Sequence, residues 1–407
     1  MEHLQNVVQG FMYPNEVELQ WSILIVLYPY ITGLVAGAFI LASLSNVFKV
    51  KALQPTYRLA LLTALAFLIV APMPLQLHLG HPERSFEMYL TPHLSSAMAM
   101  FGFVYLWYLM GVLLIEIWLD YRRQIIHWAR TTTGWLGWVY KVLTLGSFND
   151  TPRALEIDRK LARFVTIVGI PSAFLLHGYV GFIFGSVKAN PWWSSPMMPI
   201  VFLFSAIVSG IAAILVIYMA AMKLTGREID MRCVDSMAFY LLIAYIVDFS
   251  LEMLDLIHRI YEADESFHTL DFMVHTKLYL PHIVIQIFLG TLVPMGLLAM
   301  MRLIGVNERA RRGVYGLAGV LTLIGIFAMR WNVVIGGQLF SKSFLGYTTY
   351  KMEIVHREGL LTAIFLMILP FFILWALVKL LPPFEDDDPG EPAERDELPE
   401  GGLPGPA

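Results

Sequence analysis

Tyr245, Asp248, Glu252, Asp255 and Arg259 recur along one apolar stretch at spacings of three, four, three and four. On a helix of about 3.6 residues per turn this places all five on one stripe. Three carboxylates on such a stripe cannot face lipid, where an ion costs on the order of 3 kcal/mol even on lenient insertion scales. They must face a bundle interior, a water-filled cavity or an opposite charge. Arg330, inside another apolar stretch, is the candidate opposite charge for Asp248 or Glu252. Two chemistries fit: a buried ion pair that fixes helix packing, or a polar site whose carboxylates take up and pass on protons. Ionisable groups arriving from several helices at one depth favour the second.

Histidines extend the set. The stretch "LQLHLGHPERSF", residues 75–86, ends an apolar run with His78 and His81. Pro82 then breaks the helix, so Glu83 and Arg84 read as a loop ion pair, and His81, at the helix end, is the better ligand candidate. His177 is the one histidine well inside an apolar run, while His275 and His282 stand at the start of another. A bis-histidine haem needs two imidazoles facing each other deep in a bundle, so no intrinsic haem is expected. The single cysteine, Cys233, can form neither an iron–sulfur cluster nor an internal disulfide, and no metal site is expected. Trp331 and Asn332 beside Arg330 could stack on and hydrogen-bond a flat ring, or pack at an interface. The segment "NPWWSSP", residues 190–196, suits either a docking surface or an aromatic belt.

The elements that position these groups follow from composition. The 407 residues are 57% hydrophobic and 15% charged, against about 25% charge in soluble domains; the chain is a membrane protein. No basic block is interleaved with aromatics, so nucleic acid is not an expected partner. Apolar runs of about 20 residues predict nine transmembrane helices near 21–43, 57–79, 95–120, 162–186, 197–222, 234–257, 279–303, 313–339 and 358–381. The expected fold is all-α and polytopic, with two four-helix bundles, spans two to five and six to nine, plus an extra helix. Residues 121–161 are expected as an amphipathic segment at the cytoplasmic interface. If the short N-terminal segment 1–20 is periplasmic, twenty of the 28 Lys and Arg fall on the cytoplasmic side and seven outside, with Arg330 left within a span. The acidic, Pro- and Gly-rich tail 382–407 is then a disordered cytoplasmic segment or one that docks on a partner. At 1.5 Å per residue, Arg330 lies roughly 25 Å from the cytoplasmic edge, His177 and Asp248 roughly 20 Å and Glu252 about 27 Å. The titratable groups therefore gather in the outer half, with Glu116 the main exception.

Three stretches together resemble the NrfD-type, polysulfide-reductase-like membrane subunits: "LHLGHPER" (77–84), "LHGYVGFIFGSVKANPWWSSPMMPIVFLFSAIVSG" (176–210) and "MRWNVVIGGQ" (329–338). The resemblance runs from about residue 20 to 381, is specific in these stretches and weak elsewhere, and is greatest to the DsrP sub-branch. It implies a haem-free helical subunit of eight to ten spans in a bacterial or archaeal cytoplasmic membrane, with a site for menaquinone or ubiquinone near the periplasmic face. It also implies a periplasmic ferredoxin-like 4Fe-4S subunit docked above, within a larger respiratory complex with cytochrome c and catalytic subunits, linked to sulfur compounds and proton translocation.

Oxidising a quinol releases two protons and two electrons, so its site needs groups that bond both quinone oxygens and accept protons. On this reading the head group lies near His78, His81, His177, Trp331 and Asn332. Glu252 takes a proton, and Arg330 keeps Glu252 or Asp248 ionised and oriented. The rival class is a secondary transporter or proton-conducting protein coupled through the span-six carboxylates. Transporters often carry matched Gly- or Pro-broken helices at the midplane, and no such pair is evident here.

Overall fold

The computed structural model describes residues 17–19, 21–91, 93, 95–261, 267–341 and 346–384. The expected N-terminal segment and acidic tail thus fall mostly outside the described residues. Among those described, nine helices are long and apolar enough to cross a membrane: span one Ile23–Asn46, span two Lys51–His78, span three Gly102–Thr131, span four Pro152–Gly185, span five Met198–Thr225, span six Met231–Tyr261, span seven Tyr279–Leu303, span eight Glu308–Gln338 and span nine Leu360–Leu380. Each overlaps one of the nine predicted runs, and the protein is an all-α polytopic membrane protein.

Local chemistry sets the ends. Ser22 caps span one by accepting from the Leu24 amide, and Asn307 caps span eight by accepting from Ala310 at 2.9 Å. Thr151 followed by Pro152 starts span four, where proline's missing N–H has no helical partner to lose. Gly226, at φ +69°, ends span five in the left-handed region that favours glycine. Residues 121–161, expected as an interfacial segment, are divided among three helices. Span three continues to Thr131, a short helix covers Gly134–Leu143, and span four begins at Pro152. The extensions are held by Arg122, which donates to Asp158 at 2.6 Å, and by Arg130, which pairs with Asp150.

Burial separates core from lipid-facing helices. In span one 94% of the most apolar window is buried, against 28% in span seven and 22% in span nine, so span one is central and the other two line the perimeter. Spans one to four pack on one another and spans five to eight do the same, while span nine packs against spans two and one. Two four-helix bundles plus an extra helix are present, but the partition differs from the expected one: the outlying helix is the ninth. The bundles are joined chiefly where span one crosses span five. A Cβ on Gly37 would stand 2.0 Å from the Ala206 carbonyl oxygen, and one on Gly210 would stand 2.3 Å from the Gly37 backbone. Only glycine permits this approach.

Two helices depart from the regular winding. Span three is wound as a π-helix over Trp107–Leu113, and span seven over Tyr279–Leu292. Such segments are rare and frequently mark functional sites.

Candidate functional site

The groups of interest lie toward the membrane face on which span one begins, where spans six and eight end and span seven starts. Arg330 is fully buried. Its Nη2 donates to Ser205 Oγ at 2.7 Å, to His177 Nε2 at 3.1 Å and to the Phe202 carbonyl at 3.4 Å, and its guanidinium lies 4.0 Å from the Phe202 ring centroid. A guanidinium only donates, so His177 must accept at Nε2 and carry its proton on Nδ1, which faces Thr32 Oγ1 at 3.3 Å. The Thr32 hydroxyl in turn donates to the Tyr28 carbonyl at 3.0 Å. His177 is therefore a neutral imidazole wedged between spans one, five and eight.

The predicted direct ion pair between Arg330 and a span-six carboxylate is absent among the described residues. Arg330 reaches toward spans four and five, because Ser205, Phe202 and His177 surround its head, and it interacts with Asp248 and Glu252 only through longer-range electrostatics. Asp248 is 4% exposed, and its Oδ1 has no hydrogen-bond partner, nor has Arg330 Nε. One buried guanidinium thus answers two carboxylates it does not touch, buried Asp248 and half-buried Glu252 at the cavity wall. It can balance one of them.

Next to this cluster is a cavity of about 360 Å³ lined by Trp192, Glu252, His282, Gln286, Met329 and Asn332 among others. Gln286 is its hub. The Gln286 Oε1 accepts from Asn332 Nδ2 at 2.8 Å and lies 3.0 Å from His282 Nδ1, while its Nε2 points to Glu252 Oε1 at 3.5 Å. With Nδ1 donating to Gln286, His282 presents Nε2 as an acceptor; its ring lies edge-on to Trp192, centroids 5.5 Å apart. Buried Asn332 keeps an unpartnered Oδ1. The remaining lining is mainly apolar: Met198, Val201, Met253, Ile287 and Val333.

The π-helical turn of span seven positions the hub. Thr291 Oγ1 donates to the Gln286 carbonyl five residues back, and the Tyr245 hydroxyl bridges from span six to the Gly290 carbonyl at 2.7 Å. At the mouth, Ser195 donates to Asp255, Arg259 Nε donates to Asp255 at 3.0 Å, and Arg259 Nη1 donates to the Pro191 carbonyl at 2.5 Å. The upper part of the stripe therefore fastens the 190–196 loop. Neither tryptophan of that loop forms an outward belt: Trp193 is buried, donates to the Val333 carbonyl at 2.6 Å and stacks on Trp21, and Trp192 lines the cavity.

Of the residues singled out from sequence, Glu252 and Asn332 line the cavity, and Asp248, His177 and Arg330 form the buried cluster behind it. Trp331 packs edge-on against Tyr350 instead. His78 and His81 are not brought to this site. His78 meets Glu358 at 2.5 Å, and His81 lies in the open, 3.0 Å from Glu83. Arg84 pairs with Glu87 rather than Glu83, as a bidentate exposed contact. Glu116 is remote, held among Tyr57 and Thr166 in the first bundle. Sequence reasoning passed over His282 as a span-end histidine and missed Gln286, Ser205 and Thr32 altogether. The one available signal was the i, i+4 spacing of His282 and Gln286 on the face that meets Asn332.

Comparison with known proteins agrees with the architecture. The chain is 29% identical over 322 residues to a selenate reductase subunit of Mesobacillus selenatarsenatis, covering 77% of this chain and 73% of that protein. It is 28% identical over 211 residues to a protein of Halobacterium salinarum named as a dimethyl sulfoxide reductase membrane subunit, 52% of this chain and 45% of that one. A 23% identity over 349 residues links it to the Hdr-like menaquinol oxidoreductase integral membrane subunit of Archaeoglobus fulgidus, 83% of this chain and 76% of that protein. The family model described as polysulphide reductase, NrfD, matches residues 13–342. With that match spanning most of the nine-helix domain, the chain belongs to the polysulphide reductase NrfD family.

Proposed function

We propose that the protein is the quinone-exchanging membrane subunit of a multi-subunit redox complex, and that the quinone head group occupies the cavity between spans six, seven and eight. One observation carries this reading: an apolar cavity at one membrane face has Glu252, His282, Gln286 and Asn332 converging on it. Its volume of about 360 Å³ lies within the roughly 300–1,000 Å³ usual for small-molecule sites. The donor set suits a flat ring with two opposed oxygens. His282 Nε2 takes the proton of the quinol hydroxyl at one end and Glu252 takes that of the other, while two electrons leave to a redox centre in a partner, so that quinone remains. Asn332 and Gln286 orient both acceptors. Arg330, behind them, balances Asp248, so that Glu252 is the carboxylate free to change charge.

The names of the relatives support membership in a reductase or menaquinol-oxidising complex, and Cys233 as sole cysteine requires thiolate-bound clusters to be in partner subunits. The bias of Lys and Arg supports a periplasmic location for the cavity and a cytoplasmic C-terminus. A periplasmic 4Fe-4S subunit, cytochrome c, sulfur chemistry and proton translocation remain part of the same proposal.

Binding of a quinol-analogue inhibitor to the purified complex, followed by fluorescence quenching, tests it. Gln286→Leu removes the hub without adding charge and is expected to weaken binding about tenfold, the cost of one or two lost hydrogen bonds. His81→Ala is expected to leave the affinity unchanged. Unaltered binding to an assembled Gln286→Leu complex would reject this cavity as the quinone site.

A further inference from the structure

The opposite membrane face carries a second concavity, of about 1130 Å³, between the turn joining spans five and six and the start of span eight. Lys223, Arg227, Arg232, Arg309 and Arg312 line it, with Glu228, Asp230 and Glu308 as the acidic members, leaving a net charge of +2. Glu308 is taken by Arg312 at 3.3 Å, and Asp230 accepts from the Arg232 amide at the start of span six. Lys223, Arg232 and Arg309 are exposed.

The chain leaving span nine runs directly to this cleft. The Tyr140 hydroxyl donates to the Leu380 carbonyl at 2.9 Å, and the Tyr121 hydroxyl donates to the carbonyls of Leu381 and Pro382 at 3.3 and 3.2 Å. Phe384 then packs edge-on against Tyr218 and lies under the Arg227 guanidinium, 5.2 Å from its ring centroid. Arg227 belongs to the cleft wall. The next four residues are Glu385, Asp386, Asp387 and Asp388, and residues 385–400 hold nine carboxylates against Arg395 alone. An extended chain advances about 3.4 Å per residue, so those four residues reach on the order of 14 Å beyond Phe384, which already lies against Arg227 of the cleft wall.

We propose that the acidic segment Glu385–Asp388 docks in this basic cleft. The segment is chosen over a lipid headgroup because the path of residues 380–384 delivers it to the wall of the cleft with complementary charge. Docked, it straps the end of span nine, which packs on the first bundle, to the cytoplasmic end of the second.

Carbodiimide cross-linking of the purified full-length protein tests this, because the reagent joins carboxylates to an amine in contact and Lys223 is the amine in the cleft. Peptide mapping is expected to find residues 385–388 joined to Lys223. Charge reversal in Arg309→Glu with Arg312→Glu, which leaves the amine in place, is expected to lower that yield about tenfold, as is raising NaCl to about 0.5 M. Neutralising the segment with Glu385→Gln, Asp386→Asn, Asp387→Asn and Asp388→Asn should abolish the product. Absence of the cross-link while Lys223 still reacts with a small amine reagent would overturn the proposal. So would a yield indifferent to salt and charge reversal. Retained anionic phospholipid lost in the Arg309→Glu, Arg312→Glu variant, with no cross-link in the wild type, would assign the cleft to lipid instead.

Discussion

Arg330 is the residue on which the interior depends. Its Nη2 donates to neutral acceptors, Ser205, His177 and the Phe202 carbonyl, its Nε has no partner, and its charge answers carboxylates it does not touch. Removing a buried charge leaves its counter-charges stranded, at a cost of about 3–5 kcal/mol. Arg330→Gln is therefore expected to lower the thermal unfolding midpoint strongly, and Arg330→Lys to rescue little of it, because an ammonium on a shorter stem has no flat face to lie on the Phe202 ring while it reaches the acceptors around Nη2. Adding Asp248→Asn to Arg330→Gln should recover part of the loss by removing one stranded carboxylate. A double variant no more stable than Arg330→Gln would show that Asp248 is not the charge it balances. The stripe and Arg330 were legible in sequence because charges stand out in apolar runs. Ser205, Thr32 and Gln286 were not, since a neutral polar residue in such a run looks the same whether it bonds its own helix or a neighbour.

Joints between elements account for what the site stands on. Span two ends in His78, which meets Glu358 just before span nine begins, and Arg357 donates to the Leu79 carbonyl at 3.3 Å. Partial burial alone would raise the Glu358 carboxyl. Hydrogen bonds from His78 and Ser22, with the charges of His78 and Arg357, outweigh it and hold the group below its ordinary value of 4.5. A carboxyl whose folded value is depressed adds stability above its unfolded value, and that contribution is lost as pH falls through the folded one. The unfolding midpoint of the wild type should thus drop more between about pH 6 and pH 3 than that of Glu358→Gln. Parallel curves would remove the joint from the account. Here too legibility has a physical limit. The nine spans were readable because lipid demands about 20 apolar residues. The π-helical turn that aims Gln286 has no residue-type signature, and the long extensions around 121–161 depend on the Arg122–Asp158 contact between two spans.

At the scale of the molecule, helix count was readable and helix partnership was not. A small-residue face such as Gly33 and Gly37 shows that a close crossing exists, but not that its partner is Gly210, which joins the bundles and leaves span nine outside both. Orientation, by contrast, rests on charge alone, because sidedness is set by Lys and Arg near the span ends. The proposal built on that distribution has Arg122, Arg123 and Arg130 with Arg309, Arg311 and Arg312 in the cytoplasm, and the 186–197 loop in the periplasm with the cavity beneath it. Cys233 is fully buried, so the wild type offers a quiet background for single introduced cysteines. In intact spheroplasts, Lys188→Cys is expected to react with a membrane-impermeant maleimide. Ser147→Cys, on the opposite face, should react only after permeabilisation, with retained activity confirming the fold of both. The reverse pattern would put the cavity on the cytoplasmic side. Electrons from quinol would then have to leave to a cytoplasmic partner, and every assignment that follows from a periplasmic one would fall with it.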